Sequence, residues 1–276
     1  MDQIDSRTLL ETPTVELCDV CCPGLPVEPT EDEFTAGLQL VFPYRGVFVR
    51  HVGDDQAVAE PTQVLFFNGG EAYRISHPVP GGDACLSLAI SETLLRELTP
   101  AALLREGPGF VFRQQRLRID ARAQALVALL RHSTQRGIAE TLEAESLALT
   151  LVRRALGPST THTPGSTPTR RKLVDRTKVL LASDLARRWT LAEIAVEIGH
   201  SPVYLTQVFQ QVEGLPLYRY QLRLRLGRAL DLLGKSDDLT TLGLDLGFSS
   251  HSHFTSAFTQ AYGRSPSEFR QAVKRS

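Results

Sequence analysis

A pair of short helices separated by a glycine is predicted twice in about the last hundred residues, and this repeat constrains the fold most strongly. In the first copy, four apolar residues at helical spacing define one face of a short helix: Leu191, Ile194, Ala195 and Ile198. Gly199 follows, and glycine tolerates the positive φ of a tight turn between helices. Ser201 then stands where it can cap a second helix, with Pro202 at its first position.

This second helix has an apolar side and a polar side. Leu205, Val208 and Phe209 anchor it to a core. Its outward residues are polar or amphipathic: Tyr204, Thr206, Gln207, Gln210 and Gln211. A short, capped helix with such an outer face can enter the major groove of DNA, which is about 12 Å wide, and place side chains on base edges. The first copy therefore predicts a DNA-reading helix-turn-helix unit.

The second copy begins about fifty residues later. Leu242, Leu244 and Leu246 are its expected core positions, and Gly247 marks the turn. The helix that follows is anchored by three apolar residues, Phe254, Ala257 and Phe258. Its expected outward residues are His251, Ser252, Thr255, Ser256 and Thr259. His251 and His253 lie on different helix faces at this spacing, so we do not expect them to share a metal ion.

One long helix is predicted between the two copies. It has about 17 residues and would be about 25 Å long. Such a spacer can hold two recognition helices about one turn of DNA apart, ~34 Å, so that both enter the major groove from one side. The residues expected to contact DNA are Ser201, Tyr204, Thr206, Gln207, Gln210, Gln211, Arg223, Arg225, Ser250, His251, Ser252, Thr255 and Ser256.

The charge distribution agrees with a DNA partner for the C-terminal part. The formal net charge is −1, yet the chain from Arg170 onward holds 16 Lys and Arg against 10 Asp and Glu. The preceding part is acidic, so only the C-terminal part is expected to bind a polyanion. No apolar run approaches the ~18–20 residues of a membrane span, and the N-terminus has no secretory signal pattern. A cytoplasmic protein without membrane contact is expected.

The C-terminal sequence resembles the DNA-binding domain of AraC/XylS-family transcription regulators over about residues 172–270. The motifs that carry the resemblance are LAEIAVEIGHSPVYLTQVFQ, RLRLGRALDLL and DLGFSSHSHFTSAFTQAYGRSPSEFR. The resemblance implies sequence-specific control of transcription, commonly as a dimeric activator whose N-terminal domain senses a small molecule. The expected partners are double-stranded DNA, a second copy of the chain, RNA polymerase and an unidentified small-molecule effector.

Three outward positions depart from the family pattern. Gln207, Gln210 and Ser256 stand where Arg or Lys is frequent. Fewer phosphate contacts imply weaker non-specific binding, whereas glutamine can still pair with adenine. Gly243 occupies a position where alanine is common, which predicts a less rigid second unit.

An α+β chain with three regions is expected. Residues 1–156 form a cupin-like β-barrel sensor domain with a helical dimerisation segment, 157–169 a Ser/Thr/Pro/Gly-rich flexible linker, and 170–276 the all-α DNA-binding domain. Short Val- and Phe-rich runs between turn signals indicate antiparallel strands over about residues 14–90. Two helices follow, the first capped by Asp120 and the second, over about residues 138–156, expected to form the dimer interface.

The stretch QVLFFNGGEAYRISHPVPGGD is similar to the turn region of a cupin-type sensor barrel. Tyr73 stands where metal-dependent cupins carry a histidine, so no catalytic centre is expected, and the chain is interpreted as a regulator rather than an enzyme. The candidate effector-binding residues are Phe48, Phe66, Tyr73, Arg74 and His77. The alternative is that these aromatic residues only fill the core.

The chain contains four cysteines: Cys18, Cys21, Cys22 and Cys85. Cys18, Cys21 and Cys85 are the candidate ligands of a metal ion. Adjacent residues of a strand point to opposite sides, so only one of Cys21 and Cys22 is expected to serve. Cys21 is preferred because its spacing from Cys18 suits chelation across a turn. Redox sensing and simple packing as small apolar residues are the alternatives. A catalytic N-terminal domain, such as the cysteine methyl acceptor of alkylation-repair regulators, is the competing class, but its four-cysteine spacing differs from this one.

Overall fold

The computed structural model describes residues 4–105, 109–157 and 167–275. In those ranges a sheet-rich N-terminal part precedes an all-helical C-terminal part, which confirms the α+β class. The strands are β1 (Asp5–Glu11), β2 (Val15–Cys22), β3 (Gln39–Arg45), β4 (Phe48–Val52), β5 (Asp55–Ala59), β6 (Gln63–Phe67), β7 (Arg74–Ser76), β8 (Asp83–Ile90) and β9 (Arg116–Arg118). The helices are α1 (Glu92–Leu98), α2 (Ala121–Gln135), α3 (Thr141–Ala155), α4 (Pro168–Ser183), α5 (Leu191–Ile198), α6 (Pro202–Glu213), α7 (Leu217–Leu232), α8 (Leu239–Asp245), α9 (His251–Tyr262) and α10 (Pro266–Arg275).

The strands form two antiparallel sheets. The larger has the order β1-β2-β8-β3-β6-β9, and the smaller has the order β5-β4-β7. Among the described strands no hydrogen-bonded ladder joins the two sheets, so the expected barrel is not closed. The last strand of the larger sheet, β9, has only three residues.

The two faces of the larger sheet pack against different partners, because side chains alternate along each strand. On β8, Ala84, Leu86 and Leu88 join the core beneath α2 and α3. Cys85 points the other way and packs with Phe48 of the smaller sheet. The larger sheet is therefore a middle layer between helices and the smaller sheet.

Helices α2 and α3 cover the outer face of the larger sheet. Asp120 caps α2 as expected, since its carboxylate accepts a hydrogen bond from the Ala123 N–H at 2.9 Å. On α3, Leu151 is fully buried in the core, whereas Leu142 is 75% exposed. Leu149 is partly buried and packs against the same core. Leu149 and Leu151 of the helix that was expected to bind a second chain therefore pack within the protein's own core, and the dimerisation role of α3 stays a prediction.

All regular elements of the described C-terminal residues are helices, as expected. Helix α4 begins at Pro168, inside the expected linker, with the Thr167 hydroxyl accepting from the Arg170 N–H at 3.4 Å. Residues 158–166, the rest of that linker apart from Gly157, lie outside the described ranges. No described helix is both long and apolar enough to span a membrane.

The two parts of the chain pack closely against each other. Ala128 of α2 belongs to the same apolar cluster as Leu226 of α7 and Phe258 of α9. The outer face of the smaller sheet, including Val49, contacts Val179 of α4. Helix α2 therefore faces the larger sheet on one side and the C-terminal helices on the other.

Buried ion pairs also lie at the junction of the two parts, and those of Lys178 with Glu60 and of Arg131 with Asp231 cross it. Lys178 of α4 is fully buried, with Nζ 2.6 Å from Glu213 Oε1 and 4.0 Å from Oε1 of Glu60, which precedes β6. Arg131 of α2 donates from Nη1 to Asp231 Oδ1 of α7 at 2.7 Å. These contacts fix α4 and α7 relative to the N-terminal part.

Candidate nucleic-acid interface and sensor cavity

The first helix-turn-helix unit consists of α5 and α6. Thr190 and Glu193 form a reciprocal capping box that starts α5, in which the side chain of each accepts from the backbone N–H of the other. Gly199 ends the helix with φ +79°, the left-handed conformation that glycine adopts without strain. The Ser201 hydroxyl accepts from the Tyr204 N–H at 3.3 Å and starts α6. The expected turn and cap are both present.

Helix α6 has the expected division between a buried and an exposed side. Leu205, Val208 and Phe209 are at most 2% exposed and form a core with α4 and α5. Gln207 and Gln210, one turn apart, are both exposed. This places two amide side chains on the surface of a rigidly anchored helix.

The second unit consists of α8 and α9 and repeats this construction. The Asp238 carboxylate caps α8 by accepting from the Thr240 N–H at 2.8 Å. Gly247 forms the turn with φ +82°, and a Cβ there would lie only 2.5 Å from the Ala186 carbonyl oxygen. The Ser250 hydroxyl caps α9 by accepting from the His253 N–H at 3.1 Å. Both units therefore use a glycine turn followed by a serine cap.

Two expectations about α8 are corrected by the structure. Leu244 is 50% exposed, so the core side of α8 is formed by Leu242 and Leu246 instead. Gly243 is buried against α9, and a Cβ at this position would lie 3.0 Å from the Phe254 Cβ. This glycine permits close packing of the two helices, so it does not loosen the unit.

Helix α7 joins the two units, and its Arg225 side chain makes hydrogen bonds to backbone carbonyl oxygens on both sides of the junction. This residue was expected to contact DNA phosphate, but its side chain is only 9% exposed. Its guanidinium donates to the carbonyl oxygens of Leu185, Arg187 and Gly247 at 2.8, 2.9 and 3.0 Å. These acceptors lie before α5 and in the turn of the second unit, so the guanidinium is used within the protein and is not available to DNA.

Known proteins match this part of the chain. Residues 194–272 match the sequence family described as a helix-turn-helix domain. The HTH-type transcriptional activator RhaR of Klebsiella pneumoniae subsp. pneumoniae is 31% identical over 158 residues, covering 55% of this chain and 54% of that protein. The HTH-type transcriptional activator RhaS of Escherichia fergusonii is 41% identical over 68 residues, covering 24% of each chain. The chain is similar to these HTH-type transcriptional activators, in agreement with its expected resemblance to the AraC/XylS family.

A solved structure with a similar domain is that of an AraC-type DNA-binding domain-containing regulator from Chromobacterium violaceum. It is 28% identical, with a TM-score of 0.37, and the match covers 40% of this chain and all of that one. The chain spans about half the length of RhaR (54%) and a smaller share of RhaS (24%).

Most of the expected DNA contacts in this helix-turn-helix part lie on the surface. The exposed ones are Ser201, Tyr204, Gln207, Gln210, Gln211, Ser250, His251, Ser252 and Ser256. Thr206, Thr255 and Arg223 are partly buried. Val203 is absent from the expected set, yet it is 66% exposed in the first turn of α6. An apolar side chain at such a position can contact a thymine methyl group.

A cavity of about 180 Å³ lies between the two sheets of the N-terminal part. Of the expected effector residues, Phe48, Tyr73 and His77 line it. Phe66 does not, because its ring stacks on Phe112 with centroids 3.9 Å apart in the core beneath the helices. Arg74 is exposed and pairs with Asp32 at 3.8 Å. Two larger clefts, of about 560 Å³ each, are lined by residues of both parts of the chain and contain none of the expected effector residues.

The strand register separates the cysteines that were expected to bind metal together. Cys85 is opposite Val20 in the β2–β8 ladder, and both face the smaller sheet. Cys21 is on the other face, where its sulfur lies 3.8 Å from the Tyr44 hydroxyl. The sulfur of Cys18, on β2, lies 3.8 Å from the Thr8 hydroxyl of the neighbouring strand β1. Cys18, Cys21 and Cys85 therefore do not converge on one site.

Cys22, which was not among the expected metal ligands, lines the cavity. Its sulfur lies 3.4 Å from His77 Nε2, and His77 Nδ1 lies 2.7 Å from Asp83 Oδ2. Asp83 was also missed, since in the sequence it only marks the end of a turn. The ladder pairs Cys22 with Asp83, and that cross-strand pairing is the signal that identifies the site.

Proposed function

We propose that the chain is a sequence-specific DNA-binding regulator of transcription that is controlled by a small effector bound in its N-terminal part. The observation that carries the proposal is the repeated design of α5–α6 and α8–α9. In each unit a serine-capped helix is anchored by buried apolar side chains and exposes polar ones. Such helices position hydrogen-bonding groups for base edges, while basic residues elsewhere hold phosphates.

Gln207 and Gln210 are the proposed base-reading residues of the first unit. Each side chain has an NH2 group that can donate and a carbonyl oxygen that can accept, and this pair of groups matches the N7 and N6 edge of adenine. Neither carries a positive charge, so removing either would change sequence preference more than general affinity for DNA. The proposed partners are double-stranded DNA, a second copy of the chain and RNA polymerase, in the cytoplasm and without a catalytic step.

The experiment is selection of binding sites from random DNA with the full-length chain, followed by fluorescence anisotropy on the selected site. Gln207→Ala and Gln210→Ala are each expected to cost about 1–3 kcal/mol at one base position. Gln271→Ala, at an exposed position on α10, is the matched control and should leave affinity and sequence preference unchanged. Equal weakening on all sequences would show that the glutamines contact only the DNA backbone.

The cavity between the sheets is the proposed effector site. Its walls combine apolar groups such as Val41 and Phe67 with a few polar ones, including Gln39 and Ser87. A volume near 180 Å³ suits a ligand of a few heavy atoms. Thermal-shift screening of small metabolites would identify it, and Val41→Phe, which fills the cavity, should abolish the shift while leaving DNA binding intact.

A further inference from the structure

Three potential metal ligands converge at one end of the cavity. Cys22 is the last residue of β2, Asp83 is the first residue of β8, and His77 follows β7. One potential ligand atom from each residue lies within 4.8 Å of the other two. His77 and Asp83 are each 5% exposed. These residues take no part in the proposed DNA contacts.

The backbone around the three residues is tightly packed. A Cβ at Gly82 would lie 2.4 Å from the Cys22 carbonyl oxygen, and one at Gly24 would lie 2.9 Å from the Gly82 nitrogen. The His77 N–H donates to the Pro26 carbonyl oxygen at 3.1 Å. The turn before β8 and the segment after β2 are thus in direct backbone contact, which fixes the positions of Cys22 and His77.

We propose that Cys22 and His77 bind a thiophilic divalent metal ion of the zinc type, with Asp83 orienting the imidazole. A tetrahedral ion bound at about 2.3 Å to sulfur and about 2.0–2.1 Å to nitrogen holds those two atoms about 3.5 Å apart. The observed distance from Cys22 Sγ to His77 Nε2 is 3.4 Å. The pair is therefore already spaced for such an ion.

Asp83 completes the arrangement from the other side of the ring. Its Oδ2 is 2.7 Å from His77 Nδ1, so the imidazole N–H donates to the carboxylate and the Nε2 lone pair faces the sulfur. A carboxylate in this position fixes the tautomer and orientation of metal-binding histidines. A Cys22 thiolate and the Asp83 carboxylate together also balance the charge of a divalent cation.

The donor set selects the class of metal. Thiolate and imidazole favour zinc and related soft or borderline ions, whereas magnesium and calcium prefer oxygen ligands. Cys22 and His77 supply two direct ligands, and both residues line the cavity. The remaining positions of a four-coordinate ion therefore face the cavity, where water or a small ligand can occupy them.

The test is titration of the metal-free, reduced, full-length protein with Co²⁺, followed by displacement with Zn²⁺. Wild type is expected to bind one Co²⁺ per chain with a thiolate-to-cobalt charge-transfer band, which Zn²⁺ removes. Cys22→Ser should lose the band, and Cys18→Ser, the matched control, should retain it. Asp83→Asn should bind about 10- to 100-fold more weakly, as expected for loss of an orienting carboxylate.

Circular dichroism melting establishes that each variant is folded, and the wild-type titration does not depend on any variant folding. A folded wild type that takes up no Co²⁺ would overturn the proposal. The proposal is equally overturned if the band survives in Cys22→Ser, because the thiolate ligand would then lie elsewhere in the chain. Rapid alkylation of Cys22 without metal uptake would also overturn it, because the Cys22–His77–Asp83 group would then be a reactive thiol site.

Discussion

Replacing Lys178 with methionine tests a buried charge cluster at the junction of the two parts, where Lys178 and Glu213 of the C-terminal part meet Arg118 of the N-terminal part. The Lys178 ammonium is fully buried and lies 2.6 Å from Glu213 Oε1. Methionine preserves much of the side-chain volume but removes the charge. Glu213, itself 3% exposed, would then keep Arg118 as its remaining close ion-pair partner among the described pairs.

The magnitude follows from the carboxylate that is left behind. Burial alone would raise the pKa of Glu213, but Lys178, Arg118 and Arg116 outweigh it and hold the pKa at about 2. The depression of this pKa from 4.5 to about 2 corresponds to roughly 3 kcal/mol of net stabilisation of the folded state, after the opposing cost of burial. Removing one partner of a buried ion pair typically costs about 3–5 kcal/mol. Since Arg118 remains, we expect a loss of about 3 kcal/mol for Lys178→Met.

Urea denaturation followed by circular dichroism measures this free energy of unfolding. Lys172→Met is the matched control, because Lys172 lies on the same helix and is more exposed than Lys178. It should change the free energy of unfolding by no more than about 0.5 kcal/mol. If Lys178→Met also changes it by less than that, the buried ion pair contributes nothing net, and the reasoning about the interface is wrong.

Three further outcomes are expected. Because the pKa of Glu213 is depressed in the folded state, the ionised Glu213 carboxylate stabilises the fold fully above pH ~4.5, and this stabilisation should be lost as the pH falls toward 2. The free energy of unfolding measured as a function of pH should show a smaller loss in Lys178→Met. Gly243→Ala should lower the free energy of unfolding in urea by about 1 kcal/mol, because overpacking against the fully buried Phe254 exceeds the gain in helix propensity. The control Asp245→Ala, at an exposed position nearby, should be near neutral. Leu142→Glu should leave the fold intact, and sedimentation velocity should show a lower mass only if α3 forms a dimer interface.

The features that depend on neighbouring residues were predictable from the sequence. Asp120 and Ser201 each cap a helix whose first turn lies within a few residues, so composition and spacing were enough to identify them. The glycine turns at Gly199 and Gly247 are local in the same way. The helix-turn-helix units therefore appear in the structure almost as the sequence indicates.

Contacts between distant segments were not predictable in this way. Arg225 stands among other arginines on a helix that is amphipathic only in part, and its sequence pattern is that of a solvated or phosphate-binding residue. Its actual acceptors, the carbonyl oxygens of Leu185, Arg187 and Gly247, lie 22 to 40 residues away along the chain. Likewise, nothing next to Lys178 in the sequence reveals that Glu213 will face it. Whether a charged residue binds DNA or another segment depends on tertiary packing, which periodicity does not encode.

A shift of one residue along strand β2 decides which cysteine faces the cavity. Cys21 and Cys22 are adjacent on a strand, so one must face the helices and the other the cavity. Their spacing from Cys18 favoured Cys21, because a chelate across a turn was assumed where the chain is in fact a continuous strand. The β2–β8 ladder instead places Cys22 opposite Asp83 and beside His77. The composition indicated that a thiol could act as a ligand, but only the strand pairing shows which thiol has an imidazole within reach.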